Sequence, residues 1–145
     1  IEACDYLYGK EVGDKVIIIG GGLSGCEIAY DLFKKGKTPI IVEMKNDLIA
    51  VKGVCLANSS FLRDFFELNK VEVHLETSLV KVTDSGVVVR DKDGKEFEIA
   101  GDSVIASMGY HPLPAFEGAK LVGDCKKVGN LRTVVWGAWK VAMKI

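Results

Sequence analysis

The amino-acid sequence predicts an α/β protein in which an antiparallel β-meander is inserted into a parallel sheet. The apolar run at 16–19 lacks polar alternation, which is typical of a parallel strand buried on both faces. The glycine-rich turn Gly20–Gly25 follows it and leads into apolar residues at helical spacing. Short strand patterns then fill 79–100, separated by Asp84-Ser-Gly86 and by the hairpin signal Asp93-Gly94. We therefore expect a β/β/α arrangement of meander, sheet and helices.

The turn has the spacing G-x-G-x-x-G, the fingerprint of a dinucleotide-binding, Rossmann-like βαβ unit. Gly20 allows a tight turn off the strand, Gly22 lets a pyrophosphate approach the backbone, and Gly25 lets the helix pack against the strand. The helix N-terminus offers free N–H groups and the positive end of its dipole to the phosphates. The intervening residues complete the predicted phosphate-binding turn: Gly21, Leu23 and Ser24.

The helix after the turn is expected to end near Gly36, and the next apolar run ends in Glu43. An acid about 20 residues after the turn is expected to bind the adenosine ribose. Glu43 would accept hydrogen bonds from both ribose hydroxyls of NADH and repel the 2′-phosphate of NADPH, although Lys45 would weaken that repulsion. Two alternatives stay open. The glycines could serve packing alone, or the turn could hold FAD, whose adenosine ribose Glu43 fits equally well.

Between Glu43 and the meander the sequence predicts a loop, a helix and a strand. Residues 44–57, which include Gly53, are interpreted as a loop with one helical turn. Asn58, Ser59 and Ser60 are the candidate N-caps of a helix with an apolar side formed by Phe61, Leu62, Phe65, Phe66 and Leu68. Residues 71–75 alternate as a strand with His74 on the polar face, which favours a surface histidine over a catalytic one.

After the meander the sequence predicts a buried strand at 103–107, followed by a loop on which His111 is expected to be solvent-exposed. Residues 120–124 are predicted to form a strand with an acid at its carboxyl end. A helix is expected over 131–144, with Asn130 as its N-cap. Its apolar stripe, flanked by Trp136 and Trp139, consists of Val134, Val135, Ala138, Val141, Ala142 and Ile145.

Composition narrows the possible functions. The net charge is -1 with scattered basic residues, which argues against a nucleic-acid surface. No apolar run approaches the roughly 20 residues of a membrane span and no signal peptide is visible, so the cytoplasm is the expected location. The widely spaced cysteines predict no metal or cluster site: Cys4, Cys26, Cys55 and Cys125. The sequence contains no Ser/His/Asp or Cys/His set, and we assign no catalytic residue.

These motifs, in this order, resemble one family. The stretches G-G-G-x-x-G-x-E at 20–27, I-I-V-E-M-K-N-D-L-I-A at 40–50, A-S-M-G-Y-H-P at 106–112 and V-G-D-C-K-K-V-G-N-L at 122–131 are similar to the pyridine-nucleotide half of flavoproteins with two dinucleotide-binding domains. The closest resemblance is to the C-terminal region of multidomain NADH:flavin oxidoreductases related to 2-enoate reductase and 2,4-dienoyl-CoA reductase. It covers nearly the whole chain.

The resemblance implies cofactor roles for particular residues. The family's NAD(H) fingerprint falls on the glycine turn, the helix glutamate and the ribose acid: Gly20, Gly22, Gly25, Glu27 and Glu43. Met44, which follows the acid, is also expected to contact the cofactor. The stretch at 106–112 matches the loop near the nicotinamide, which implies contacts from Met108 and Gly109. Gly123 and Asp124 match the family's second FAD motif, in which the acid contacts the ribitol chain.

The resemblance also implies a domain organisation. Residues 1–14 are expected to be a linker from an upstream domain, 15–110 the NAD(H)-binding domain, and 111–145 the returning segment of a FAD-binding domain. The segment 110–120, which connects the last two of these parts, is shorter than the usual connection in the family that the chain resembles. The FAD and barrel domains of the parent polypeptide would carry FAD, FMN and a 4Fe–4S cluster. Their fingerprints are absent here, so the isolated chain is expected to be inactive, to retain no FAD and to have some tendency to form a homo-oligomer.

The predicted function is therefore that of an NAD(H)-binding domain that positions nicotinamide for hydride transfer to FAD. The parent enzyme would reduce the C=C bond of an enoate or enoyl thioester. The alternative is a stand-alone NADH-binding regulatory module without turnover. The Gly123-Asp124 motif and the helix after it favour the first function, because a simple NADH sensor has no need of them.

Overall fold

The computed structural model describes residues 1–50, 55–114 and 116–144. It divides into two compact units, Ile1–Met108 and Gly109–Ile145. The first contains α1 Ala3–Leu7, β1 Lys15–Ile19, α2 Leu23–Lys34, β2 Thr38–Val42, α3 Leu56–Leu68, β3 Glu72–His74, β4 Ser78–Thr83, β5 Gly86–Arg90, β6 Glu96–Ala100 and β7 Ser103–Ala106. The second contains a 3₁₀ turn, Gly123–Cys125, and α4 Leu131–Ala142.

The predicted α/β class and its β/β/α layers are confirmed. Four parallel strands form a sheet in the order β3-β2-β1-β7, and β4, β5 and β6 form the antiparallel meander. One face of the parallel sheet packs on the helices through a cluster that includes Val16, Ile18, Ile28, Leu32, Ile41 and Ile105. The other face packs on the meander through Ile17, Ile19, Ile40, Val42, Val87, Val89 and Ile99. Because both faces are covered, β1 and β2 need the continuous apolar runs that the sequence shows.

Helix α2 ends as expected at the glycine that follows it. Gly36 has φ +77°, a left-handed conformation that favours glycine. Its N–H donates to the carbonyl of Phe33, and the N–H of Lys37 donates to the carbonyl of Leu32. This pattern is a Schellman motif, which satisfies carbonyls at the helix end and turns the chain into β2.

The sequence did not predict the short helix α1, which packs within the first unit. Ala3 is buried in the helix-side cluster, and the Tyr6 hydroxyl donates to Asp31 on α2 at 2.5 Å. Beside it, the Ala106 N–H donates to the Ile1 carbonyl at 2.8 Å, so the first residues pair with β7. The N-terminal segment is therefore folded onto the sheet and onto α2.

The predicted N-caps of α3 are wrong. The helix begins at Leu56 with Cys55 as its N-cap residue, so Asn58, Ser59 and Ser60 lie inside the first turns. The Ser59 hydroxyl donates back to the Leu56 carbonyl at 3.2 Å instead of capping a free N–H. The apolar side is also narrower than predicted, because Leu62 and Phe66 are buried whereas Phe61 and Leu68 are exposed. Residues 51–54 of the loop before α3 lie outside the described residues.

The predicted strand at 120–124 is also wrong. Gly123–Cys125 forms a 3₁₀ turn in which Gly123 has φ +60°, and the N–H groups of Lys126 and Lys127 donate to its carbonyl. A strand requires a neighbour for its backbone hydrogen bonds, and the described part of the second unit contains no strand. Helix α4 does form with Asn130 as its N-cap, and the Asn130 side chain accepts from the Thr133 N–H at 3.1 Å.

The apolar stripe of α4 is not buried within its own unit. In the part of 109–144 that the structure describes, every residue is half-buried or exposed. Trp136 and Trp139 are 56% and 58% exposed. Ile145, the last residue of the predicted stripe, lies outside the described residues.

Candidate functional site

Gly20 and Gly25 are required by close backbone approaches at the turn after β1. Gly20 has φ +110°, and a Cβ there would meet the carbonyl of Ser107, which follows β7. A Cβ on Gly25 would meet the carbonyl oxygen of Gly20 and lie 3.3 Å from Ile18 Cγ2. No side chain fits at either position, because the obstacles are largely backbone atoms. The first and third glycines of the fingerprint therefore hold strand, turn and helix together.

Gly22 differs from these two glycines because it faces open space. A Cβ added to Gly22 would meet no atom within 4 Å. Gly22 is the N-cap residue of α2, and the first helical hydrogen bond runs from the Cys26 N–H to the Gly22 carbonyl at 3.0 Å. Within the described residues, the N–H groups of 22–25 donate to no protein acceptor. Free donors at the positive end of a 12-residue helix, beside open space, suit an anion such as a phosphate.

Glu43 follows β2 and is joined directly to the glycine turn. The residue is buried, with only 7% of its surface exposed. The Gly21 N–H donates to Glu43 Oε2 at 2.6 Å, and the Lys45 N–H donates to Oε1 at 2.8 Å. Each carboxylate oxygen has capacity for a further hydrogen bond. The acid is thus fixed in position by two backbone donors and still has lone pairs to offer a ligand hydroxyl.

The loop after Glu43 is bound to both the turn and α3, a feature that the sequence did not predict. The Ile49 N–H donates to the Gly21 carbonyl at 2.8 Å. Ile49 has φ +52°, a rare conformation for a β-branched residue, while its side chain is buried. Such strain costs about 1–3 kcal/mol and persists only when the surroundings over-determine it. Arg63 of α3 supplies part of that constraint by donating to Asp47 and to the Leu48 carbonyl.

The other predicted contact residues in the first unit lie on its surface. Ser24 and Glu27 are exposed on the first turns of α2. Met44 is 71% exposed beside Glu43. Met108 is 69% exposed, and its backbone follows the Ser107 carbonyl that approaches Gly20. The turn, the acid, Met44 and the start of the Met108 loop are therefore grouped at the carboxyl ends of β1, β2 and β7, the edge at which parallel α/β sheets bind ligands.

The remaining predicted contacts lie in the second unit. Gly109 has φ +89° and is exposed. Gly123 and Asp124 form the 3₁₀ turn, where Asp124 Oδ1 accepts from the Gly129 N–H at 3.1 Å. This bond closes the turn ahead of α4. The Asp124 side chain itself is exposed.

The two histidines carry no catalytic arrangement. His74 Nε2 lies 2.8 Å from Glu72 Oε1 on the surface of β3, and His111 is exposed. Among the described residues, no three His, Cys, Asp or Glu side chains form a cluster able to hold a metal ion. No helix in the described parts of the chain is long and apolar enough to cross a membrane.

Cys26 is a buried thiol beneath the glycine turn. Its Sγ lies 3.4 Å from the Gly21 carbonyl, to which it donates. Burial, and then the nearby Glu43 carboxylate, raise the pKa of Cys26 to about 12. The thiolate is the reactive form of cysteine, so this thiol is inert in the folded protein.

We expect iodoacetamide at pH 8 to modify exposed Cys55 and to leave Cys26 unmodified until urea is added. Peptide mass spectrometry would measure both, with Cys55 as the internal control. A free thiol has a pKa of about 8.5, so above that pH ionisation of Cys26 favours the unfolded chain. Its contribution to stability is therefore present below about pH 8.5 and decreases as the pH rises towards 12. Equal modification of Cys26 and Cys55 in the native protein would contradict this assignment.

Comparisons with known proteins agree with the geometry of the turn. The family described as pyridine nucleotide-disulphide oxidoreductase matches residues 1–133. Cinnamate reductase of Clostridium sporogenes is 40% identical, over 100% of this chain and 24% of the reductase. NADH oxidase of Thermoanaerobacter brockii is 30% identical, over 99% of this chain and 24% of the oxidase. The chain thus spans about a quarter of the length of these curated relatives.

Solved structures show the same fold. 2-Naphthoyl-CoA reductase, in its complex with 2-naphthoyl-CoA, matches 100% of this chain and 23% of its own with a TM-score of 0.84 at 23% identity. Histamine dehydrogenase from Rhizobium sp. 4-9 matches 99% of this chain and 26% of its own with a TM-score of 0.82 at 12% identity. The resemblance to the 2-enoate reductase group is confirmed by the 40% identity to cinnamate reductase. Because the family match extends over nearly the whole sequence, the chain belongs to the pyridine nucleotide-disulphide oxidoreductase family.

Proposed function

We propose that the chain binds NADH at the glycine turn and presents its nicotinamide to an FAD held by the rest of a larger polypeptide. The observation that carries the proposal is the open space at Gly22 beside the unbonded N–H groups of 22–25. These groups would receive the pyrophosphate, and the Glu43 carboxylate would receive the adenosine ribose hydroxyls. In this arrangement Leu23 and Ser24 contribute backbone N–H groups.

The chemistry of hydride transfer belongs to the cofactors when they are bound, and this chain contributes position. The turn fixes the phosphates and Glu43 fixes the adenosine end, which directs the opposite end of the dinucleotide away from β2. We propose that Met108 and Gly109 flank the nicotinamide, as the family resemblance implies. Gly123 and Asp124 would contact the flavin's ribitol chain. No acid or base from this chain is required for the transfer.

We further propose that the whole protein reduces the C=C bond of an enoate or enoyl thioester. The proposal is supported by the identity to cinnamate reductase and by the structural match to 2-naphthoyl-CoA reductase. FMN and a 4Fe–4S cluster would lie in a barrel domain of the same polypeptide, as the resemblance implies. The domain bounds 1–14, 15–110 and 111–145 and the cytoplasmic location stay predictions.

The full-length gene product separates this function from that of a stand-alone NADH-binding module. We expect a yellow protein that contains iron and whose flavin absorbance bleaches when NADH is added without oxygen. A colourless, iron-free protein that binds NADH would instead support the regulatory module. A protein of either kind that binds no NADH would contradict both functions.

Replacement of Glu43 by Ala should weaken NADH binding about tenfold or more and narrow the preference over NADPH. The change removes the acceptor for the ribose hydroxyls and the charge that repels a 2′-phosphate. It also leaves the Gly21 and Lys45 N–H groups without their acceptor, so a loss of about 1–3 kcal/mol in stability is expected. Calorimetric titration with both cofactors would measure the preference for NADH over NADPH. Urea unfolding would measure the loss of stability.

The control for this prediction is Glu98→Ala in the meander, where the carboxylate accepts from the exposed hydroxyls of Thr83 and Ser85. This variant should bind both cofactors as the wild type does. Tighter binding of NADPH than NADH by the wild-type chain would overturn the assignment of Glu43.

A further inference from the structure

Arg63 reaches from α3 to the loop that follows the ribose acid. Its Nε donates to Asp47 Oδ1 at 3.0 Å and its Nη2 donates to Asp47 Oδ2 at 2.9 Å. The same Nη2 also donates to the Leu48 carbonyl. The Arg63 side chain is 32% exposed, so these charge-assisted bonds are partly shielded from water. One guanidinium therefore fixes two consecutive residues of the loop.

The loop residues held by Arg63 contact the glycine turn in their own right. A Cβ on Gly21 would lie 2.6 Å from Leu48 Cδ2 and 3.0 Å from Glu43 Cβ, so both side chains pack directly on that glycine. The next residue, Ile49, donates its N–H to the Gly21 carbonyl, and the Gly21 N–H donates to Glu43. Contacts thus run without a gap from the guanidinium through Leu48 and Gly21 to the carboxylate.

We propose that Arg63 is a positioning residue for recognition of the adenosine ribose. This inference rests on the proposed function, because it assigns Arg63 to the same NADH site. By holding Asp47 and Leu48, Arg63 keeps Ile49 in its strained conformation against Gly21. Gly21 in turn keeps the orientation of the Glu43 carboxylate fixed. A carboxylate that already has the required orientation loses less freedom when it accepts bonds from a ribose. Arg63 acts through Glu43 and does not touch the ligand.

The test compares NADH with its analogue 2′-deoxy-NADH, in which the adenosine ribose lacks its 2′-hydroxyl. Glu43 would accept one hydrogen bond fewer from this analogue. We expect Arg63→Ala to weaken the binding of NADH about five- to tenfold, a range typical of coupling between neighbouring groups. Binding of 2′-deoxy-NADH should change less than about twofold, because its affinity depends less on the carboxylate. Calorimetry would give both dissociation constants, and urea unfolding would show that each variant is folded.

Three further variants complete the experiment. Asp47→Ala should reproduce the selective loss, because it removes the acceptor of two Arg63 bonds. Arg63→Lys should recover only part of the affinity, since an ammonium cannot replace the planar fork. Arg90→Ala is the matched control: it breaks an arginine–carboxylate pair with Glu96 in the meander and should leave both ligands unaffected.

The outcomes separate this inference from the function on which it rests. Equal losses for the two ligands in Arg63→Ala and Asp47→Ala would show a merely structural role and overturn the inference. Unchanged NADH affinity in both variants would also overturn it, while leaving the NADH site intact. A wild-type chain that binds no NADH would overturn both. If Arg63→Ala does not fold, Asp47→Ala and Arg63→Lys decide the question by the same comparison.

Discussion

Replacement of Gly25 by Ala should lower the free energy of unfolding by about 3 kcal/mol or more, at the upper end of the usual cost of overpacking. The added methyl group would overlap the carbonyl oxygen of Gly20 and press on Ile18 Cγ2 at 3.3 Å. Relief would require α2 to move away from β1, which would open the helix-side cluster around Ile28 and Leu32. NADH binding should be lost with the turn geometry. Urea unfolding followed by circular dichroism would measure the change.

Gly36→Ala is the matched control for this prediction. Gly36 also needs its left-handed φ of +77°, but a Cβ there meets no atom within 4 Å. This substitution should therefore cost only about 1–2 kcal/mol of backbone strain and leave NADH affinity unchanged. If Gly25→Ala were as stable as Gly36→Ala, the close contact between helix and turn would be contradicted.

Replacement of Gly22 by Ala should weaken NADH binding with little loss of stability, unlike Gly25→Ala, which should lose both. Gly22 has φ -69°, which alanine adopts freely, and the new methyl group would project into open space. The free energy of unfolding should fall by no more than about 1 kcal/mol, the cost of an alanine at the N-cap position of α2. The methyl group would occupy the volume that we assign to the pyrophosphate and separate it from the N–H groups of 22–25. We expect NADH binding to weaken at least tenfold, or about 1.4 kcal/mol.

Calorimetric titration with NADH and with ADP-ribose would measure the effect of Gly22→Ala. Both ligands carry the pyrophosphate, so both should weaken by the same factor. Undiminished affinity in a folded Gly22→Ala chain would show that the phosphates bind elsewhere. Together, Gly22 and Gly25 distinguish a glycine that a ligand requires from one that the fold requires.

The parts of the structure that the sequence predicts are those whose signals are local. The strand β1, the glycine turn and the end of α2 at Gly36 are each specified by residues within a few positions of one another. The position of Glu43 directly after β2 follows from the apolar run that precedes it. The meander follows from alternation and the turn signal Asp93-Gly94.

The errors arise where tertiary contacts decide. Ser59 has the chemistry of an N-cap, but α3 begins three residues earlier, at Leu56, and the buried Ser59 hydroxyl donates back to the Leu56 carbonyl. The run at 120–124 has strand propensity, yet Gly123 turns the chain where no strand pairs with it. Arg63 and Asp47 are 16 residues apart in the sequence, and no local sequence pattern around either residue predicts that they form an ion pair. The left-handed backbone conformation of Ile49 could not be predicted for the same reason, because it depends on contacts with residues distant in the sequence.

The order of strands also has a consequence for how this domain is made. β1 lies in the middle of the parallel sheet and pairs with β2, which begins at Thr38, and with β7, which begins only at Ser103. Because synthesis proceeds from the N-terminus, one backbone edge of the isoleucine-rich strand β1 has no pairing partner until the whole meander has been synthesised. Such an edge can recruit a strand from another molecule, and pairing across a long stretch of sequence is slow. The time taken to synthesise the whole stretch between β1 and β7, of which the meander is the last part, therefore determines how long aggregation competes with folding.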